Sequence, residues 1–109
     1  MYPYGYYYLM YTFLRTDEFD EWLEGLDDNL AKARIIARIR SAEGGNFGDV
    51  KPVGDGISEM RVHVGAGYRV YYCRRGNVIY LLLCGGDKST QRKDIRSAKA
   101  ILKALETEQ

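Results

Sequence analysis

Residues 81–95 read "LLLCGGDKSTQRKDI" and contain the point at which a strand gives way to a helix. The apolar run is typical of a buried strand, and the two glycines that follow interrupt it. Asp87, Lys88 and Ser89 then stand where a helix should begin, and acids and hydroxyls are common caps of helix N-termini. The stretch predicts a strand followed by a C-terminal helix, with Lys88 at the start of that helix. The apolar stripe of that helix comprises Ile95, Ala98, Ile101, Leu102 and Leu105.

Upstream of residue 81, apolar and polar side chains alternate with a period of two, which is the period of a β-strand. Glycine-containing turns, "GAG" and "RGN", separate the alternating runs, so the pattern predicts a β-meander. "DVKPV" precedes it as an edge strand, because Pro52 cannot donate a backbone hydrogen bond to a neighbour. The three predicted meander strands are "SEMRVHV", "YRVYYCR" and "VIYLLLC".

The first half of the chain predicts one strand and two helices. "YTFLR" at residues 11–15 has the aromatic and β-branched residues of a strand, and Thr16 is a suitable N-cap for the next helix. Aspartates at 27–28 break that helix and cap a second one, which the glycines at 44–45 terminate. The predicted stripe of the first helix is Phe19, Trp22, Leu23 and Leu26. That of the second helix is Leu30, Ala33, Ile36, Ala37 and Ile39.

The order of these elements predicts an α+β domain, β-α-α-β-β-β(-β)-α, with a twisted, mainly antiparallel sheet and the helices packed on one face. The 109 residues, of which 46% are hydrophobic, suffice to bury one core. Residues 10–109 are therefore expected to form a single domain. Residues 1–9 are an expected tyrosine-rich extension, with five tyrosines among the first eight residues and Met10 as an alternative start.

Neither a signal peptide nor a membrane helix is predicted, because no segment approaches the roughly 18 apolar residues that a membrane helix requires. We therefore expect a cytoplasmic protein with no membrane partner. Cys73 and Cys84 lie in apolar strands and are expected to be buried free thiols. Together with the single histidine, His63, they are too few for a zinc site of recognised spacing. We expect neither a metal nor a cofactor.

Charge is segregated along the chain, although the formal net charge is only +1. Residues 1–50 carry five basic and nine acidic side chains, a net charge of −4. Residues 51–109 carry eleven basic and six acidic side chains, a net charge of +5. The second half is therefore where an anionic partner would dock.

The free face of the predicted sheet carries a cluster of basic side chains together with a histidine and a tyrosine, placed together by strand alternation. An ordinary interpretation also exists, in which arginines on an exposed face are solvated or paired with an acid such as Glu59. His63 would then be a surface histidine, and Lys88 would cap its own turn or pair with Asp87. Both interpretations stay open at this point. The cluster comprises Lys51, Arg61, His63, Arg69, Tyr71 and Lys88.

Three segments in this order resemble the HigB-like branch of the RelE/ParE toxin superfamily, often described as phage-derived addiction-module killer proteins. The resemblance runs from about Thr12 to Leu105, which is nearly the whole predicted domain. The segments are "WLEGLDDNLAKARIIARI", "GNFGDVKPVGDGISEMRVHVGAGYRVYY" and "LLLCGGDKSTQRKDIRSAKAI".

The resemblance implies a RelE-like fold and the toxin of a type II toxin–antitoxin system. Its implied activity is metal-independent cleavage of mRNA on the ribosome, in which the 2′-hydroxyl of the RNA attacks the adjacent phosphodiester. The implied partners are the ribosome, mRNA and a cognate helix-turn-helix antitoxin in a hetero-oligomeric complex. Two alternatives remain: a ParE-like, non-enzymatic inhibitor of DNA gyrase, and a binding module that engages its antitoxin but has lost activity.

The resemblance also implies roles for individual residues. Lys88 would meet the scissile phosphate or the leaving oxygen, while Arg61 and Arg69 would clamp nonbridging phosphate oxygens. His63, Tyr71 and Lys88 are the candidates for proton transfer, and the acid–base pair stays unassigned. Many ribosome-dependent members carry an aromatic residue or a histidine after the last strand, where this chain has "GGDKSTQRKD". The expected RNA-binding residues are Lys51, Arg74, Arg75, Gln91 and Arg92.

Overall fold

The computed structural model describes residues 9–108, which form five strands and three α-helices. The predicted tyrosine-rich extension lies, as far as residue 8, outside the described residues. The α+β class and the element order are confirmed and are consistent with a RelE-like fold. The elements are β1 (Thr12–Arg15), α1 (Asp17–Glu24), α2 (Asn29–Glu43), β2 (Val50–Gly54), β3 (Ile57–Val62), β4 (Tyr68–Arg74), β5 (Ile79–Asp87), a 3₁₀ turn (Lys88–Thr90) and α3 (Gln91–Thr107).

The strands form one sheet in the order β1-β5-β4-β3-β2. β2 to β5 are antiparallel neighbours, as the meander pattern predicts. β1 pairs in parallel with β5, in a register that sets Thr12 opposite Ile79 and Arg15 opposite Leu82. The two helices between β1 and β2 carry the chain from one edge of the sheet to the opposite edge, and the meander then returns to place β5 beside β1. None of the helices within residues 9–108 is both long and apolar enough to cross a membrane.

The helices cover both faces of the sheet, which corrects the prediction that all of them pack on one face. One apolar core lies under α1 and α2 and includes Phe19 and Ile35. A second core lies under α3 on the opposite face and includes Ala98 and Leu102. The reason is that "VYYC" in β4 supplies large apolar side chains to both faces, so each face needs a covering layer.

The start of α1 is fixed by Thr16, as predicted. Its hydroxyl oxygen accepts a hydrogen bond from the Phe19 backbone N–H at 3.0 Å. The same hydroxyl donates to the Leu83 carbonyl at 2.7 Å, so one cap both begins the helix and attaches it to β5.

The predicted buried stripe of α2 is wrong in all but Ile39. Leu30 and Ile36 have 59% and 37% of their surfaces exposed. The apolar residues of "LAKARIIARIRSA" surround the helix, so periodicity admits more than one buried stripe. Packing against β3 and β4 decides which stripe is buried, and the residues selected are Ala31, Ile35, Ile39 and Ala42.

The two glycines of β5 are there because helices approach the strand closely on both sides. A Cβ atom at Gly85 would overlap the indole ring of Trp22 on the α1 side, and one at Gly86 would overlap the Asp94 carboxylate on the α3 side.

Cys73 and Cys84 are buried free thiols, as predicted.

Replacing Gly85 by alanine is expected to destabilise the fold by about 1–3 kcal/mol, because the added methyl group overpacks the contact with Trp22. Urea unfolding of wild type and Gly85→Ala measures the difference. The cost should shrink in a Trp22→Leu background, where the ring is absent. An equal cost in both backgrounds would show that Trp22 is not the reason for this glycine.

Candidate functional site

Four of the predicted site residues surround one shallow cleft of about 440 Å³ at the β3–β4 turn. Arg61 and Arg69 are direct cross-strand partners on β3 and β4. His63 follows the end of β3, and Lys88 enters from the end of β5. Two guanidinium groups and one ammonium group around a single depression are suited to bind a phosphate, because arginine offers paired donors and lysine a mobile point charge.

Lys88 is held in place by its backbone. Its N–H donates to the Gly67 carbonyl at 2.7 Å, which joins the start of the 3₁₀ turn to the β3–β4 loop. Asp87 caps this turn by accepting from the Ser89 hydroxyl and the Ser89 N–H, and these hydrogen bonds lower the pKa of Asp87. The alternative pairing of Lys88 with Asp87 is absent. Among the described residues no carboxylate lies within ion-pair distance of the Lys88 ammonium.

The arginine pair rests on a buried carboxylate, that of Glu59, which has no exposed surface. Its Oε1 atom accepts from Arg61 Nε at 3.0 Å and from Arg69 Nη1 at 3.2 Å. Its Oε2 atom accepts from the Tyr71 hydroxyl at 3.1 Å and from Gln91 Nε2 at 2.8 Å. The pairing of the arginines with Glu59 is therefore confirmed, and both arginines also line the cleft.

The electrostatics of this cluster keep Glu59 charged at neutral pH. Burial by itself raises the pKa of Glu59, but the hydrogen bonds from Gln91 and Arg61 and the charge of Arg69 outweigh it and bring the pKa below its usual range. The pKa of Tyr71 is raised far above its usual value, first by burial and then by the Glu59 charge. An ionised carboxylate and a protonated phenol thus face each other.

The placement of Tyr71 corrects its prediction as a proton-transfer residue. The side chain is fully buried in the α3-side core and its hydroxyl donates to Glu59. A substrate in the cleft has no access to it. The reason is that α3 covers this part of the sheet face, which the sequence analysis expected to be open.

His63 lies exposed on the rim of the cleft and has a carboxylate partner that sequence reasoning missed. Its Nε2 atom is 2.6 Å from Asp49 Oδ2, and 72% of its side chain is exposed. This hydrogen bond lowers the pKa of Asp49. Asp49 precedes β2 and reaches His63 because β2 and β3 are antiparallel neighbours, a long-range relation that no local motif signals.

Arg38 of α2 is a second residue that sequence reasoning missed. Its guanidinium donates to the backbone carbonyl of Arg61 and, at 3.0 Å, to that of Phe47. Its half-buried side chain ties α2 to the backbone of the cleft strand β3 and to the loop before β2.

The expected RNA-binding residues divide into two groups. Lys51 is exposed beside Glu59 in the β2–β3 register, on the edge of the face that carries the arginines. Arg92 is exposed in the first turn of α3. Gln91, next to it, uses its side-chain amide to support Glu59. Lys51 and Gln91 therefore lie beside Glu59, and Arg92 follows Gln91 in α3.

Arg74 and Arg75 lie away from the cleft, and their binding of RNA stays a prediction. Arg74 is five residues beyond Arg69, or roughly 16 Å along β4. Its guanidinium donates to the Gly76 and Asn77 carbonyls and lies 5.7 Å from the Tyr80 ring centroid. Arg75 follows at the end of β4 beside a different depression.

Removing the imidazole in His63→Ala should raise the pKa of Asp49 toward its ordinary value of 3.8, because the hydrogen bond that favours the carboxylate form is lost. A carboxyl-carbon NMR titration of both proteins measures the shift. Asp87 serves as an internal control, since Ser89 sets its low pKa. An unchanged Asp49 midpoint would mean that the His63 contact does not form in solution.

Comparisons with known proteins show which family the chain belongs to. The family described as phage derived protein Gp49-like (DUF891) matches residues 21–106, a span that contains all four cleft residues. The chain is also similar to a Haemophilus influenzae Rd protein described as an uncharacterized protein, with 54% identity over 87 residues that cover 80% of this chain and 88% of the relative. The matched family is a toxin-like one of the RelE/ParE-related group. The chain therefore belongs to the Gp49-like family of phage-derived proteins.

Proposed function

We propose that the protein is a HigB-like toxin of a type II toxin–antitoxin system and that it cleaves mRNA on the ribosome. The observation that carries the proposal is the convergence of Arg61, Arg69 and Lys88 on one cleft, with the two guanidinium groups fixed from below. Cleavage by the 2′-hydroxyl of the RNA itself requires fixed positive charge at the reacting phosphate together with a base and an acid. The cleft offers residues for each requirement.

In the proposed reaction the 2′-hydroxyl oxygen attacks the adjacent phosphorus, and the bond from phosphorus to the 5′-oxygen breaks. Arg61 and Arg69 donate hydrogen bonds to the nonbridging oxygens, where negative charge accumulates in the phosphorane. Lys88, on a separate side of the cleft, meets the departing 5′-oxygen. The products are a 2′,3′-cyclic phosphate and a 5′-hydroxyl end.

His63 is the proposed base. When the Nε2–H group of His63 donates to the Asp49 carboxylate, Nδ1 carries the lone pair that accepts the proton of the 2′-hydroxyl. Asp49 then stabilises the imidazolium, since its low pKa keeps it charged. The departing 5′-oxygen takes its proton from Lys88 or from water. Tyr71 has no part in this scheme because its buried hydroxyl serves Glu59.

The RNA on either side of the reacting phosphate is expected to follow the basic surface around the cleft. Lys51 lies on the β2 side and Arg92 on the α3 side. Further lysines and arginines of α3, at positions 93, 96 and 103, are exposed and continue this surface. Contacts to phosphates supply affinity with little sequence preference.

The proposal is tested by mapping 5′-hydroxyl RNA ends after brief induction of the toxin in a bacterial host. Wild type should produce new ends within reading frames, and blocking translation in a parallel culture should abolish them. Arg61→Ala, Arg69→Ala and Lys88→Ala should each lower cleavage by on the order of 10²-fold, because each removes a donor to the transition state. Arg34→Ala, a matched control on the exposed side of α2, should cleave like wild type.

The outcomes separate the proposed function from its alternatives. Full toxicity in all three cleft variants would contradict the proposed cleavage of mRNA by the cleft. Growth arrest with a DNA-damage response and no new RNA ends would favour the ParE-like inhibition of gyrase. An inert wild type that still binds its antitoxin would indicate the binding module that has lost its activity.

The proposed antitoxin is a helix-turn-helix protein with an acidic segment that covers the basic surface near α3 and the cleft. Because opposite charges across an interface are screened by salt, the dissociation constant of the complex should rise with ionic strength. Calorimetric titration of toxin with antitoxin at several salt concentrations measures this dependence. A complex indifferent to salt would place the antitoxin on another surface.

A further inference from the structure

We infer that Glu59 is the positioning residue that orients both arginines of the cleft toward a phosphate. The inference rests on the proposed function, since it concerns how the same site is assembled. Glu59 does not line the cleft, and its whole side chain is buried. It would act through the arginines and not on the RNA itself.

The arginine pair needs such a residue because its geometry is unfavourable without one. Arg61 and Arg69 are directly opposite each other on antiparallel strands, and like charges in this relation destabilise a sheet. Glu59 lies two residues before Arg61, so its side chain emerges on the same face of β3. In the register of the hairpin it lies opposite Tyr71, diagonal to Arg69. A carboxylate at this position reaches both guanidinium groups.

The way in which the four donors share the carboxylate fixes its orientation. Both arginines donate to Oε1, while Tyr71 and Gln91 donate to Oε2. A carboxylate has about four acceptor positions, so each oxygen is fully used. Tyr71 comes from β4 and Gln91 from the first turn of α3. The orientation of the carboxylate is therefore set by the second core and by α3.

The contacts also decide which donors remain for a ligand. Arg61 meets Glu59 through Nε, which leaves both of its Nη groups, and Arg69 meets it through Nη1, which leaves Nη2 and Nε. Within residues 9–108 neither guanidinium has another hydrogen-bond acceptor. Each arginine thus keeps a pair of donors for phosphate oxygens, which suits bidentate binding.

Affinity and cleavage rate together distinguish a Glu59 that orients the arginines from a Glu59 that only changes the charge of the cleft. Glu59 lowers the positive charge beneath the cleft, so Glu59→Gln should bind RNA at least as tightly as wild type. The same substitution replaces one carboxylate oxygen by an NH₂ donor and removes the charge, so four donors compete for one neutral oxygen and the arginines lose their fixed orientation. Cleavage should therefore slow, by on the order of 10²-fold for a displacement of about 1 Å. Glu59→Asp keeps the charge but withdraws the carboxylate by one methylene group, and it should also cleave slowly.

The experiment compares wild type, Glu59→Gln and Glu59→Asp as full-length proteins. Single-turnover cleavage is measured on ribosomes programmed with mRNA, and affinity is measured with an RNA that carries a 2′-deoxynucleotide at the cleavage site. The expected result is slow cleavage in both variants without loss of affinity. Wild-type cleavage rates in both variants, or a loss of affinity in proportion to the loss of rate, would overturn the inference.

An NMR measurement keeps the inference testable apart from activity. The Nε–H group of Arg61 should exchange slowly with solvent in wild type, where it donates to Glu59, and rapidly in both variants. Equal protection in all three proteins would overturn the inference. If Glu59→Gln does not fold, Glu59→Asp carries the test. If wild type cleaves no RNA, the proposed function fails, whereas the exchange data still decide whether Glu59 orients the arginines.

Discussion

Leu82 and Leu83 are adjacent on β5, belong to opposite faces of the sheet and are both fully buried. A strand of this kind must be covered twice, and much of the architecture satisfies that requirement. α1 lies against one face and α3 against the other, each close enough that only glycine fits at positions 85 and 86. β5 continues directly into the 3₁₀ turn, and the hydrogen bond from the Lys88 N–H to the Gly67 carbonyl fixes Lys88 beside the β3–β4 turn.

The cleft combines rigid and accessible parts. Its arginines are anchored from the interior, because Glu59 is held by Tyr71 of β4 and Gln91 of α3. His63, by contrast, stands on the exposed rim with Asp49 as its partner. Buried ion pairs contribute little net stability, since desolvation offsets much of their attraction. A fully satisfied carboxylate beneath two cations is therefore better explained by the orientation it gives them than by the stability it adds.

Membership of the Gp49-like family and the geometry of the cleft support the same general function by different routes. The family belongs to a toxin-like group, which supports a toxin as the biological class of the protein. The cleft supports a phosphate as the ligand, because three cationic side chains surround one depression. The proposed ribonuclease activity joins the two, and the choice between RNA cleavage and gyrase inhibition depends on whether these cations touch a reacting phosphate.

The sequence by itself determined the element order, the caps at Thr16 and Asp28, the buried state of both cysteines and the grouping of Arg61, Arg69, His63 and Lys88. These features depend on the local periodicity of apolar residues and on the alternation of side chains along strands, which can be read directly from the sequence. The tertiary structure decided which stripe of α2 is buried, which face α3 covers and that Arg74 lies far from the cleft. It also decided the partners of Glu59, Asp49 and Arg38, because each contact joins elements whose approach depends on packing across the sheet.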